Sequence, residues 1–344
     1  MRSPGVAIEA LHDRWDRFWF TPVPTSTLAL VRIGVGLVAV LYGTTLLVDA
    51  RALLGPEGVV PAQPALETPI TVLAHFTSET AAVAAVVVLI VAAMCVGIGL
   101  ATRVAALVLF VAMLSVQRRD PFVLNGGDLL LRCQTFFLVL MPSGASFSVD
   151  RWLRTRRITE PAERTEARWR FPTAAPWGLR LLQVQMSVLY LDSVWEKLPG
   201  QSWRDGTAVG RALRVEELQR LAMPGWFVDS DLLIAAATWG TLVVELALAV
   251  GVWSGRWRPR VLLAGIALHL GIEVTMALGF FAATIFAGYL AFVPADVAAR
   301  WLSGLRRGPA HRPVEGPAPA EHPPKAEAPL SPSPSPSPSP SPSP

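Results

Sequence analysis

The chain has 344 residues, of which 52% are hydrophobic and 16% charged, with a mean hydropathy of +0.43. Charge is crowded into a few stretches between long apolar ones, which excludes a water-soluble domain and marks a polytopic membrane protein whose spans each take about 20 apolar residues. The net charge of +4 and pI near 9.6 would point to nucleic acid only if the basic residues formed a patch on a soluble face; they fall in loops, so no nucleic-acid partner is expected.

Residues 1–24 open with "EALHDRWDRFWF" at 9–20, which mixes charge with Trp15, Phe18, Trp19 and Phe20. This predicts a short interfacial helix lying on the membrane. It has no signal-peptide apolar core, so the first span is expected to direct insertion itself. That span is 25–48, with Thr25 or Ser26 as N-cap and Arg32 as its one charge. A polar loop follows over 49–79. Spans two and three are predicted at 80–101 and about 103–117, joined tightly around Arg103. After the loop "QRRDPFVLNGGD" comes a short fourth span, 128–142; "NGGD" reads as a glycine turn with Asp128 as N-cap.

The densest basic stretch is 143–176, with Arg151, Arg154, Arg156, Arg157, Arg164, Arg168 and Arg170. Spans five and six are predicted at 177–198 and 231–253, with a mixed-charge loop between them. From 261 to 293 the chain is apolar except for His269 and Glu273. That is long for one span, so a break is placed near Gly279, giving a seventh span and a short eighth; one span with a re-entrant piece would look alike. Residues 301–344 read as a disordered Pro- and Ser-rich cytoplasmic tail. The fold class is therefore all-α: a membrane bundle of about eight spans over 25–300. Both cysteines, Cys95 and Cys133, fall in predicted spans, so no disulfide framework is expected.

With the N-terminus cytoplasmic, the inner segments hold nineteen basic residues and the outer loops seven. The bias fits the positive-inside rule and places a multi-pass protein in the cell membrane with both termini cytoplasmic. Trp177, Trp253, Trp257 and Trp301 then mark the inner boundary, and Trp195, Trp203 and Trp226 the outer one.

Soluble catalytic signatures are absent: there is no P-loop, no HExxH and no CxxC. The chemistry rests on charges within spans, each costing about 2.5–3.5 kcal/mol to insert. On the fifth span Gln185, Asp192 and Glu196 share one face, and Met186, Tyr190, Ser193 and Lys197 follow a neighbouring stripe. Together they form a polar sector expected to face the interior. Lys197 is one of only two lysines among 30 basic residues. Next to Pro199 it either caps the helix and snorkels outward, or sits in a pocket where an amine can act as a base. His269 and Glu273 share a face of the seventh span, and one His with one Glu is too few ligands for a metal site. Glu273 and Lys197 both lie toward the outer ends of their spans, where they would share one outward-opening cavity. Glu245, in the sixth span, is expected to pair with Arg32.

Five stretches in order carry a family resemblance: "LALVRIGVGL" at 28–37, "GPEGVVP" at 55–61, "NGGDLLLRCQTFFLVLMPSGASFSVD" at 125–150, "LLQVQMSVLYLDSVWEKLPGQSWRDGTAV" at 181–209 and "HLGIEVTMALGFFAATIF" at 269–286. Together they resemble the HTTM family, the membrane domain related to vitamin K-dependent gamma-carboxylase, over roughly 20–300. The resemblance implies that Lys197 is the membrane-embedded base that deprotonates a reduced, vitamin K-like quinone, and that His269 lines the same cavity, with Tyr190, Asp192, Glu196 and Glu273 as cavity partners. Glu196 departs from the pattern, since the carboxylase has a lysine there. The carboxylase also carries a large soluble region where 301–344 read as a tail. A peptide or another lipid-soluble molecule is the implied substrate. The competing expectation is a transporter or a peptide-maturation partner in which the same charges line a path.

Overall fold

The computed structural model of the chain describes residues 4–58, 78–119 and 124–305. The loop at 59–77, the turn at 120–123 and nearly all of the expected tail lie outside them.

The N-terminal helix α1 (Pro4–Phe20) covers the stretch 9–20 expected to be helical and starts five residues before it. Trp15 and Phe20 are exposed, while the Phe18 ring meets Trp253 at 5.7 Å between centroids. A short antiparallel pairing, β1 (Val23–Pro24) with β2 (Thr173–Ala174), then ties the start of the bundle to the segment before the fifth predicted span. Helix α2 (Ser26–Val48) leads into α3 (Ala50–Leu54). Thr25 precedes α2 but makes no side-chain cap; its hydroxyl donates to Pro172 O at 2.8 Å and bonds Ser146.

Helices α4 (Glu79–Ile98), α5 (Thr102–Arg119) and α6 (Gly126–Leu140) pack in sequence against α2 and one another. Gly36 of α2 lies so close to Gly97 of α4 that a Cβ there would stand 2.7 Å from its Cα. Small residues thus let the two backbones touch, as in packed membrane helices. The N-cap of α6 is Asn125, not Asp128. Asn125 Oδ1 accepts from Gly127 N and Asp128 N, and the Asp128 carboxylate accepts from Asn125 N, so the aspartate is the third residue of a capping box. Asn125→Ala is expected to cost about 1 kcal/mol, read as a lower unfolding temperature in detergent; an unchanged midpoint would show that the box is dispensable.

Helices α7 (Val149–Thr155) and α8 (Pro161–Trp169) occupy the basic stretch, and α9 (Trp177–Lys197) follows. The next loop holds short helices α10 (Gln201–Arg204), α11 (Ala208–Ala212) and α12 (Gly225–Val228). It leads into α13 (Asp231–Val250), which a 3-10 turn extends to Trp253. Helix α14 (Arg258–Thr275) packs on α13, and α13 on α9.

The break expected near Gly279 is present: the glycine has φ +62°, and α15 (Phe281–Tyr289) starts just after it. With its 3-10 extension to Phe292, α15 is about 18 Å long, well short of a hydrocarbon core of about 30 Å. The chain then bends by 113° into α16 (Ala295–Gly304). That helix runs past the boundary expected at 301, because Leu302 is buried at 3% exposure. Helix α15 touches α2, α6, α9 and α14 and so joins the two helix groups.

Among the described residues three helices are long and apolar enough to cross a membrane, α2, α4, and α13 with its extension, and the bent pair α15–α16 makes a fourth if it is one span. The other expected spans are helical but shorter or more polar. Helix α6 has 15 residues, and α5 and α14 have three charges each in 18. Length and composition alone account for three or four spans among the described residues and do not by themselves give the eight expected. The exterior is apolar along the bundle, with Leu37, Val104, Leu107, Val243 and Leu263 exposed, as lipid-facing helices require.

Candidate functional site

The inward stripe of α9 is Met186, Tyr190, Ser193 and Lys197. Met186 and Tyr190 are buried, and the Lys197 side chain is 22% exposed. Asp192 and Glu196 point the other way and are exposed. Each precedes an inward residue, and one residue is about 100° of helix rotation. Asp192 and Glu196 are therefore not part of the interior, which narrows the broad polar sector expected there, while Gln185 on the same stripe is half-buried with its Oε1 enclosed.

Lys197 Nζ donates to Glu245 Oε1 at 2.5 Å, to Glu245 Oε2 at 2.6 Å and to Ser193 Oγ at 2.6 Å. Ser193 Oγ also donates to Glu245 Oε2 at 3.3 Å. The Trp203 ring centroid lies 5.2 Å from the ammonium. Glu245 is the fifteenth residue of α13, so the pair sits about 21 Å from that helix's start. The first half of α13 packs against the loop instead: Val209 N donates to Thr238 Oγ1 at 3.2 Å, and Trp239 Nε1 to Trp203 O at 3.2 Å. Lys197 is thus at the end of its own helix and level with the fifteenth of the twenty residues of α13, its ammonium held by Glu245 and Ser193.

Beside the pair stands a hydrogen-bonded set of rings. The Tyr190 hydroxyl bonds His269 Nε2 at 2.9 Å and the Tyr289 hydroxyl at 2.6 Å. His269 is 2% exposed, its Nδ1 has no hydrogen-bond partner, and its ring meets Phe281 edge-on at 5.5 Å. Lys197 lies within electrostatic range of His269, and Glu245 of both tyrosines. Five ionisable side chains from α9, α13, α14 and α15 therefore form one cluster. Tyr289 was not expected from the sequence. Its signal was rarity: the chain has three tyrosines, and one of them falls in an apolar segment facing a buried histidine.

Two other expected partners, Glu273 and Arg32, lie elsewhere. Glu273 binds Arg220 of the loop at 2.7 Å rather than sharing a cavity with Lys197. Glu245 does not pair with Arg32. Arg32 is fully buried and donates from Nη1 to Ser143 O at 3.3 Å and from Nη2 to Phe147 O at 2.6 Å. The carboxylate whose charge reaches it is Asp150. Asp150 accepts from Ala101 N at 2.7 Å, Thr102 N at 2.9 Å and Thr102 Oγ1 at 2.6 Å. Partial burial pushes the Asp150 pKa up, but these bonds and the Arg154 charge outweigh that and hold it below the usual carboxylate value.

No group of three or more His, Cys, Asp or Glu side chains suited to a metal ion occurs among the described residues. A cavity of about 60 Å³, lined by Tyr42, Leu46, Leu53, Leu54, Val116, Gln117, Leu124 and Asp128, lies apart from the cluster. It has room for roughly two waters and not for a quinone ring. What the cluster can do is move a proton: an amine, a carboxylate, two phenols and an imidazole stand in a water-poor interior, each bonded to or within reach of another.

The model of the HTTM domain matches residues 20–297, and the chain belongs to that family of membrane domains. No curated protein and no solved structure matches it.

Proposed function

We propose that this HTTM protein is a multi-pass enzyme of the cell membrane that deprotonates a lipid-soluble quinol, a reduced vitamin K-like quinone, with Lys197 and Glu245 acting as one proton-accepting unit. The reading rests on the Lys197–Glu245 pair, largely buried between α9 and α13 where a charge is costly without a purpose. About eight spans with both termini cytoplasmic fit the charge count of the loops. A lysine bonded to a carboxylate is an ammonium and is not a base as it stands. In the proposed first step the proton moves along this contact from Lys197 Nζ to Glu245, which leaves a neutral amine. The amine then takes the quinol O–H proton as that bond breaks, and the quinolate remains. His269, held by Tyr190, presents Nδ1 as a hydrogen-bond group for an oxygen of the bound molecule. Asp192 and Glu196 have no part in this scheme.

The test is oxygen uptake by the full-length protein supplied with a reduced quinone. Wild type consumes oxygen; Lys197→Ala does not, although it remains folded. Lys197→Arg is also inactive, because arginine keeps its charge. An active Lys197→Arg rules out the base. A wild type inert with every quinone, but passing an ion across vesicles, favours the transporter reading, for which the same buried pair would line the path.

A further inference from the structure

Residues 143–176 cover one end of the bundle. Asp150 N donates to Gly99 O at 2.9 Å, and the Asp150 side chain holds the start of α5. Arg32 holds Ser143 and Phe147, and β2 pairs with β1. Helices α7 and α8 are thereby docked where α2, α5 and α9 start and α4 and α6 finish.

This docked segment carries seven arginines between 151 and 170, with Asp150, Glu160, Glu163 and Glu166 beside them. None of the seven forms a salt bridge among the described residues. Their hydrogen bonds go to neutral backbone carbonyls. Arg151 reaches Ala167 O, Arg154 reaches Gly144 O at 2.8 Å, and Arg164 reaches Ile158 O at 2.7 Å. Arg156 and Arg168 lie over the Trp152 ring at 3.7 and 5.7 Å. Burial, and then the nearby charges of Arg154 and Arg170, push the Arg151 pKa down, so like charges stand close together here. Arg154, Arg156, Arg157 and Arg170 are exposed, and Leu153 is exposed among them.

We infer that this face binds the phosphodiester headgroups of anionic phospholipids. Guanidinium forks match phosphate oxygens, the surplus of positive charge is fixed by docking, and the face stands at the bundle end, at headgroup depth for a bundle with an apolar exterior. The neighbouring Trp152 and Leu153 suit the acyl boundary.

The full-length protein is equilibrated in detergent with equal phosphatidylglycerol and phosphatidylcholine, and retained lipids are counted by native mass spectrometry. Wild type is expected to prefer phosphatidylglycerol by roughly tenfold or more, since each basic residue near an anionic surface is worth about fivefold. The Arg156→Gln/Arg157→Gln/Arg170→Gln variant loses the preference. The Arg51→Gln/Arg204→Gln/Arg211→Gln variant, which loses the same charge elsewhere, keeps it. Glu160→Gln/Glu163→Gln/Glu166→Gln raises it, which guards against misfolding as the cause of the loss. Equal retention of the two lipids by wild type overturns the inference. So does an equal fall in both arginine variants, which would report net charge alone. Displacement of lipid by millimolar inorganic phosphate overturns it in favour of a free-anion site.

Discussion

Glu245→Ala lowers the unfolding midpoint sharply, and Lys197→Met with Glu245→Leu restores most of the loss. The Glu245 side chain is 7% exposed, and both its oxygens accept from Lys197 Nζ. Deleting the carboxylate leaves an ammonium with no counter-charge inside an apolar bundle. Breaking a buried pair this way costs about 3–5 kcal/mol. The lower end applies, roughly 3 kcal/mol, because Lys197 keeps Ser193 and Trp203 and is 22% exposed on its side chain. The double apolar variant removes both charges together and is expected to be near neutral, since hydrophobic residues of similar volume replace such pairs well. The measurement is thermal unfolding in detergent on wild type, Glu245→Ala, the singles Lys197→Met and Glu245→Leu, and the double of those two. Additive losses would show that the two residues do not act as a unit. The cycle also separates fold from chemistry: the double variant regains stability but not oxygen uptake. Recovery of both would remove the pair from the proposed reaction.

The sequence suggests a Glu245–Arg32 pair that the structure does not contain, because position within an apolar run gives depth in the bundle only when every span begins at the same plane. Helix α13 does not. Its first half rises beside α10 and α11, so Glu245 comes level with the end of α9. Nothing in the apolar run at 231–253 distinguishes residues that face a covering loop from residues that face a helix. Helix positions and the break at Gly279 were legible, because apolar length and glycine are local signals. The inward face of α9 was legible only as two adjacent stripes. Which stripe turns inward depends on the partner helices, and those are set by tertiary packing. Lys197 stood out by rarity in an arginine-rich chain, and Tyr190 and His269 by polarity in apolar runs. Tyr289 escaped because a single tyrosine near the end of a span is ordinary at a membrane boundary; only its bond to Tyr190 makes it part of the cluster.

Arg32→Ala is expected to loosen the far end of the bundle without touching the cluster. Its guanidinium is the donor for Ser143 O and Phe147 O, and Phe147 stands at φ +45°, a conformation a non-glycine residue keeps only when held. The space is shaped around this side chain. Gly99 closes α4 at φ +74°, and a Cβ there would stand 2.1 Å from Arg32 Nη1 and 2.4 Å from Ser148 Cβ. Removing the guanidinium orphans two carbonyls, which costs about 3–6 kcal/mol at about 1.5–3 kcal/mol for each charge-assisted bond, and it also opens a void. The loss is local in its first effect, because Arg32 ties the 143–148 turn to α2 while Asp150 ties α7 to α5. The check is limited trypsin digestion of the detergent-solubilised protein. Cleavage after Arg151, Arg154, Arg156 or Arg157 becomes at least tenfold faster in Arg32→Ala. Glu245→Ala, destabilised by a comparable amount in the other helix group, leaves those sites protected at temperatures below its midpoint. If both variants open the arginine stretch at the same rate, the two ends of the bundle unfold as one unit. Arg32 would then contribute only to global stability and not to the docking of α7.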